Sequence, residues 1–144
     1  MMVTAKGRYA LRMMIDIALQ PEEVCVSLRD VSSRQDISVK YLEQIAAQLT
    51  KAGLLRSVRG AQGGYLIAKR PHACTAGEVL RAVEGNLAPT GTPAGEQPAH
   101  ENSAACAAAG FWEGFDRAVN AYVDGVTLQD MLDAQAARGY DYSI

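Results

Sequence analysis

Cysteine and histidine are scarce in this chain, with three and two copies respectively in 144 residues. Cys25, Cys74 and Cys106 stand far apart, and no two form a C-x-x-C pair. An odd, dispersed set argues against a disulfide framework. His72 and Cys74 form an H-x-C pair, but two ligands alone do not make a zinc site, so no metal is expected there. No apolar run approaches the ~18–20 residues needed to span a bilayer. Charge enters at Lys6, Arg8 and Arg12 before any apolar signal-peptide core can form. The expectation is a cytoplasmic chain with no membrane partner. Nucleophile elbow, phosphate loop and paired-carboxylate motif are all missing, so the sequence is not expected to be an enzyme. What it does have is the 49% hydrophobic content of an ordinary globular chain.

The net charge of −2 conceals a division. Residues 1–70 carry eleven Lys/Arg against six Asp/Glu, a net +5, whereas residues 71–144 carry three against ten, a net −7. A positive field confined to one half is the electrostatic footprint expected of a partner rich in phosphate.

That half contains Leu54–Ala68, where two short runs with alternating apolar residues flank a Gly-rich turn. This is the sequence form of a β-hairpin. Three helices are expected before it. The first spans 4–20, capped by Thr4, with Tyr9, Met13 and Ile17 on one stripe and Ala10, Met14 and Ala18 beside it. The second follows Ser27, with Asp30 in a weak relative of the capping box. The third follows Ser38 and runs to about Ala52, with Tyr41, Leu42, Ile45, Ala46 and Leu49 as its apolar positions and Gly53 at its C-terminus. Helix, tight turn, helix and hairpin in that order define a winged helix-turn-helix, which predicts binding to double-stranded DNA.

The expected DNA-facing residues are Lys6, Arg8, Ser27, Ser38, Lys40, Tyr41, Glu43, Gln44, Lys51, Arg56, Arg59, Gly60 and Gln62. Gln44 can read adenine bidentately, and Glu43 can accept from cytosine N4. Ser38 and Tyr41 can bond phosphate, while Lys40 and Lys51 add charge without sequence information. Arg59, at the wing turn, suits a narrow minor groove. For any one of these residues a solvated helix face explains the pattern equally well, so the set carries the expectation.

Beyond the hairpin, Pro71 closes the wing, Thr75 caps a short helix over Ala76–Val83, and Gly85 stops it. Residues 86–104 are rich in Pro, Gly and small polar side chains and are expected to form a long loop. A long helix is expected from about Ala104 to Asp124, with Phe111, Trp112, Phe115, Val119 and Tyr122 as its apolar stripe. Such a stripe either closes the core or meets a symmetry mate. Its position past a complete winged helix favours a homodimer. A short last helix over Val126–Ala136, capped by Thr127, and a tail from Gly139 complete the chain. The overall expectation is a mainly α fold with a small β-hairpin. It comprises a winged domain over 1–84, a sensor-type loop over 85–103, and a dimerisation helix with tail over 104–144.

Three separated motifs now carry a resemblance. Lys6-Gly7-Arg8-Tyr9-Ala10-Leu11-Arg12 comes first, then Ile37-Ser38-Val39-Lys40-Tyr41-Leu42-Glu43-Gln44-Ile45, then Val58-Arg59-Gly60-Ala61-Gln62-Gly63-Gly64-Tyr65. In this order the chain resembles the Rrf-two family of bacterial regulators, whose members include regulators of iron–sulfur cluster supply, nitric-oxide response and cysteine metabolism. The likeness continues through Val79–Gly85 and Phe111-Trp112 to Val126-Thr127-Leu128. It implies a homodimeric transcription factor, often a repressor, that binds imperfect palindromes. An enzyme as protein co-regulator is also within the family's precedent. A winged-helix module devoted to such a protein partner is the alternative function.

Many members of that family hold a [2Fe–2S] or [4Fe–4S] cluster on three cysteines of the loop, and here the pattern fails. Only Cys106 matches, six residues before Trp112. His100 falls near the place of a second cysteine, no thiol matches the first, and Ala109 replaces a histidine. Clusters normally take four protein ligands, mostly thiolates, so no Fe–S cofactor is expected within a protomer. A bridging cluster with ligands from both chains is not excluded. The candidates for sensing are Cys106, Cys25 and His100, through thiol oxidation or a small ligand near the loop. Cys74 is expected to be an inert core side chain. For Cys106, packing and a redox role stand level.

Overall fold

The computed structural model describes residues 3–89 and 103–142. Helix α1 covers Ala5–Ala18, and the Thr4 hydroxyl accepts from the Lys6 amide at its start. Ala10, Met13, Met14 and Ile17 form its buried face, which is the spacing anticipated from the sequence. It stops two residues earlier than expected, ahead of Pro21, which disfavours helical backbone in its predecessor. Helix α2 covers Leu28–Gln35, and the Ser27 hydroxyl accepts from Asp30 N at 3.2 Å. Asp36 then takes a left-handed conformation at φ 55, which a short polar side chain tolerates and which turns the chain sharply into α3.

Helix α3 covers Val39–Lys51, and Ser38 caps it by accepting from Tyr41 N at 3.2 Å. Leu42, Ile45, Ala46 and Leu49 seat it on the core. The wing follows as β1 (Leu55–Val58) and β2 (Gly64–Ile67), paired antiparallel with Arg56 opposite Leu66 and Val58 opposite Gly64. A further bridge joins Val26 to Tyr65, with Val26 N donating to the Tyr65 carbonyl at 2.9 Å and Tyr65 N to the Val26 carbonyl at 2.8 Å. This single isolated bridge ties the segment before α2 to the wing. Gly64 is required there, because a Cβ on it would lie 2.5 Å from the Val26 carbonyl oxygen.

A 3-10 turn over Pro71–Ala73 leads to α4, Ala76–Glu84, which opens with a reciprocal capping box between Thr75 and Glu78. Val79, Leu80 and Val83 point inward. The core is one cluster in which Met13 and Met14 of α1 meet Leu42, Ile45 and Leu49 of α3, Val79 of α4, and Cys74. Leu128, far along the chain, belongs to the same cluster.

Helix α5 runs Ser103–Gly125, close to the range expected. Arg81 of α4 clamps it, donating to Asp124 Oδ1 at 2.6 Å, Asp124 Oδ2 at 3.0 Å and Asn120 Oδ1 at 2.7 Å. Gly77 makes room for that clamp, since a Cβ on it would sit 2.2 Å from Asp124 Oδ1. Helix α6 covers Leu128–Tyr142, with Thr127 and Asp130 capping each other at 3.0 and 2.9 Å. The tail expected from Gly139 is helical to Tyr142 instead. Ala134, Ala136 and Ala137 precede that glycine, and an alanine-rich run carries a helix through one glycine at a cost of about 1 kcal/mol.

Candidate nucleic-acid interface

Four buried residues fix the inner face of α3, which leaves Lys40, Glu43, Gln44 and Lys51 exposed on the other side. Ser38 is exposed as well, with its hydroxyl oxygen engaged in the cap. Its O–H hydrogen remains free to donate. Tyr41, expected both as an apolar position of α3 and as a phosphate donor, lies on the border between the two faces. Its ring is half-buried and meets Tyr9 edge-on, with centroids 5.7 Å apart. A phenol has an apolar body, and on the border of an amphipathic helix that body packs inward.

The Tyr9–Tyr41 contact brings the first turns of α1 beside the start of α3. Arg8 is exposed there and Lys6 is half-buried. Arg12, which sequence reasoning missed, lies over the Tyr9 ring with its guanidinium carbon 5.4 Å from the centroid. It also donates to the Gln35 carbonyl at the end of α2. Behind it, Asp16 is buried and accepts from Arg34 Nη2 at 2.7 Å and Gln35 Nε2 at 2.8 Å. This network sets the α2–α3 turn against α1. Ser27 is half-buried and spent on capping α2.

On the wing, Arg56, Arg59, Gly60 and Gln62 are all exposed. Among the described residues Arg8, Lys40, Lys51, Arg56 and Arg59 enter no ion pair, whereas Arg34, Lys69 and Arg81 are each bound to a carboxylate. The paired cations hold the fold, and the unpaired ones stay available to an external anion.

Glu84 was also missed as a functional position. It sits at the end of α4 and accepts from Thr4 N at 2.9 Å and Gly7 N at 2.8 Å, beside Lys6. Burial pushes its carboxyl up, but the bonds from Thr4 and Gly7 and the charge of Lys6 outweigh this and hold it below its ordinary value. Nothing in the sequence spacing could pair groups 77 positions apart.

The aromatic stripe of α5 does not close the core. Phe111, Trp112, Phe115 and Tyr122 are 65, 48, 44 and 73% exposed, and Val119 is half-buried. Phe111, Trp112 and Phe115 contact one another, with ring centroids 4.9 to 6.3 Å apart.

The cysteines occupy three separate environments. Cys74 is buried, and burial pushes its thiol up to about 11, as suits an inert core side chain. Cys25 is half-buried and adjoins Val26 of the wing bridge. Cys106 is exposed on the first turns of α5, within the helical range expected, where the run of alanines around it favours helix. His100 lies outside the described residues.

A winged helix-turn-helix with an outward recognition helix, a basic wing and a long C-terminal helix defines a transcription regulator. A family model described as Rrf2, iron-dependent transcriptional regulator, matches residues 3–134. The chain belongs to this family, the Rrf-two family whose motifs the sequence carries. It is 36% identical to the transcriptional regulator CymR of Bacillus subtilis over 91% of this chain and 89% of that one. It is also 36% identical to the regulator IscR of Aliivibrio salmonicida, over 92% of this chain and 77% of the relative. Among solved structures, CymR of B. subtilis superposes with a TM-score of 0.78 at 34% identity, covering 93% of this chain and 98% of that one. CymR of Staphylococcus aureus in an oxidised form superposes with a TM-score of 0.72 at 33% identity, covering 92% and 96%. These relatives are named as transcriptional regulators, a non-enzymatic class, and the chain is a DNA-binding transcription regulator of that kind.

Iron binding requires a cluster of donor side chains. Among the described residues no group of three or more His, Cys, Asp or Glu could hold a metal ion. The three thiols lie on different parts of the fold, and one is buried and protonated. These residues do not fit a four-ligand Fe–S cluster within one protomer. No described helix is long and apolar enough to cross a membrane.

Proposed function

We propose that the protein is a homodimeric repressor of palindromic operators, signalled through a thiol rather than a conventional cluster. The observation that carries this is the set of unpaired cations on α1, α3 and the wing, set apart from the exposed aromatic face of α5. Residues 1–84 bind DNA, 104–144 dimerise through the aromatic face of α5, and the segment 85–103 between them carries His100, one of the three sensor candidates. In a two-fold dimer the two α3 helices enter successive major grooves, about 34–36 Å or a multiple apart. Gln44 and Glu43 read base edges, Lys40, Lys51, Arg8 and Lys6 engage phosphate, and Arg59 enters the minor groove beside Gly60 and Gln62. A dimer seated this way excludes other proteins from the operator, which is the simplest route to repression.

Cys25 is the leading sensor because it adjoins the bridge that holds the wing. Oxidation there would add a polar group beside Val26 and disturb the wing directly. That a relative, the S. aureus CymR, is described in an oxidised form supports a redox signal. Cys106 on α5 is the second candidate.

Anisotropy titration of a palindromic duplex across salt concentrations tests DNA engagement. Log K should fall linearly with log salt, and Lys40→Ala should make the slope shallower by about two, since each phosphate contact contributes about 0.9 and a dimer has two. Salt-independent binding would remove the reading. Peroxide should weaken binding in the parent protein and not in Cys25→Ser. About two irons per protomer after anaerobic purification would defeat the thiol proposal.

A further inference from the structure

A cleft of about 610 Å³ opens on the side of the molecule behind the wing. Its walls are the end of α1, the connection from Pro21 to Val24, strand β2, the segment from Arg70 to His72, and α6. The volume lies within the range of small-molecule sites, ~300–1,000 Å³. Ile17, Leu66, Ile67 and Leu132 contribute apolar surface. Glu22 and Glu23 line it from the α1–α2 connection, and Arg70 and His72 from the segment after β2. None of these four enters an ion pair among the described residues.

We propose that this cleft binds a small zwitterion with an apolar body, of the class of a free aliphatic amino acid or a dipeptide, and that occupancy tunes DNA affinity. The charges decide the ligand class. A plain anion meets two carboxylates, a plain cation meets a guanidinium, and a neutral hydrocarbon leaves every lining charge without a counterpart. A molecule with an ammonium, a carboxylate and an aliphatic side chain answers all three surfaces. Coupling follows from the walls. The connection carrying Glu22 and Glu23 runs into Val26, and β2 carries Tyr65, the two residues joined by the bridge that holds the wing. A ligand spanning both walls braces that bridge and pre-orders the wing for the duplex, so affinity rises.

The coupling rests on the DNA-binding reading, whereas binding itself is measured without DNA. Individual L-leucine, L-valine, L-methionine and leucyl-leucine at millimolar concentration are added to the purified full chain, and its thermal midpoint is followed. A rise of a few degrees is expected, with N-acetyl-leucine and leucinamide, each lacking one charge, giving none. The same active probe should tighten duplex binding about fivefold or more. Leu132→Trp fills the cleft and should abolish both responses while leaving duplex affinity without probe unchanged. Gln129→Trp, about one turn away on the same helix, does the same if the first variant folds poorly. No shift with any of the four probes overturns the site. A shift that survives both tryptophan variants places binding elsewhere and overturns it equally. Binding that leaves duplex affinity untouched overturns the coupling.

Discussion

Glu84 receives the Thr4 amide, the Thr4 hydroxyl and the Gly7 amide on a single carboxylate oxygen. These are the first amides of α1, which lack partners within the helix, so the last residue of α4 serves as an N-terminal cap for a helix far away in sequence. Removing it leaves those donors without their acceptor, and Glu84→Ala is expected to cost about 1–3 kcal/mol. The pH dependence has a definite sign. The folded carboxyl is held below its ordinary value, so the stability it contributes is complete above the unfolded value, about 4.3. That stability is lost as pH falls through the folded value. The gap between parent and Glu84→Ala in urea unfolding should therefore be wide at neutral pH and shrink at about pH 3. An equal gap at both pH values would show that the charge is irrelevant. Lys6 stands beside this carboxylate, so the variant should also disturb the DNA-facing start of α1.

At the level of elements, local chemistry was legible and distant chemistry was not. Thr4, Ser27, Ser38, Thr75 and Thr127 all cap the helices expected of them, because a cap is written within four residues. The inward residues of α1, α3 and α4 follow from helical spacing for the same reason. Glu84 with Gly7, Arg81 with Asp124 and Asp16 with Arg34 join elements that only the folded chain brings together. Tyr41 was legible as an apolar position of α3, whereas Gly139 was misjudged because a glycine stops a helix only where the run before it is weak. The bridge between Val26 and Tyr65 was equally hidden, and the attachment of the wing depends on it. Gly64→Ala would place a Cβ 2.5 Å from the Val26 carbonyl oxygen, and backbone at that distance has no easy way to yield. The expected result is a folded helical domain with a loosened wing. Duplex affinity should fall about tenfold, equivalent to ~1.4 kcal/mol, with helical circular dichroism retained. Unchanged affinity would mean that the wing is positioned without this bridge.

The whole molecule separates two surfaces by charge and by chemistry. Arg8, Lys40, Lys51, Arg56 and Arg59 lie on α1, α3 and the wing, while the exposed aromatics lie on α5, within the acidic half of the chain. Isolated apolar side chains on a surface need no explanation, but four aromatic rings on one helix, three of them in mutual contact, form a patch of the kind that marks an interface. The Arg81 clamp ties that patch to α4 and hence to the winged domain, so a second copy docked on α5 would hold both recognition helices at a fixed separation. Phe115 lies within the aromatic cluster, and a carboxylate there would be desolvated without a partner. Phe115→Glu should sediment as a monomer at micromolar concentration. It should lose most of its affinity for a palindromic duplex while binding a single half-site as the parent does, because only the linkage between the two DNA-binding domains has been cut. A Trp112→Glu, Phe115→Glu double variant that still sediments as a dimer and binds the palindrome like the parent would move the interface off α5 altogether.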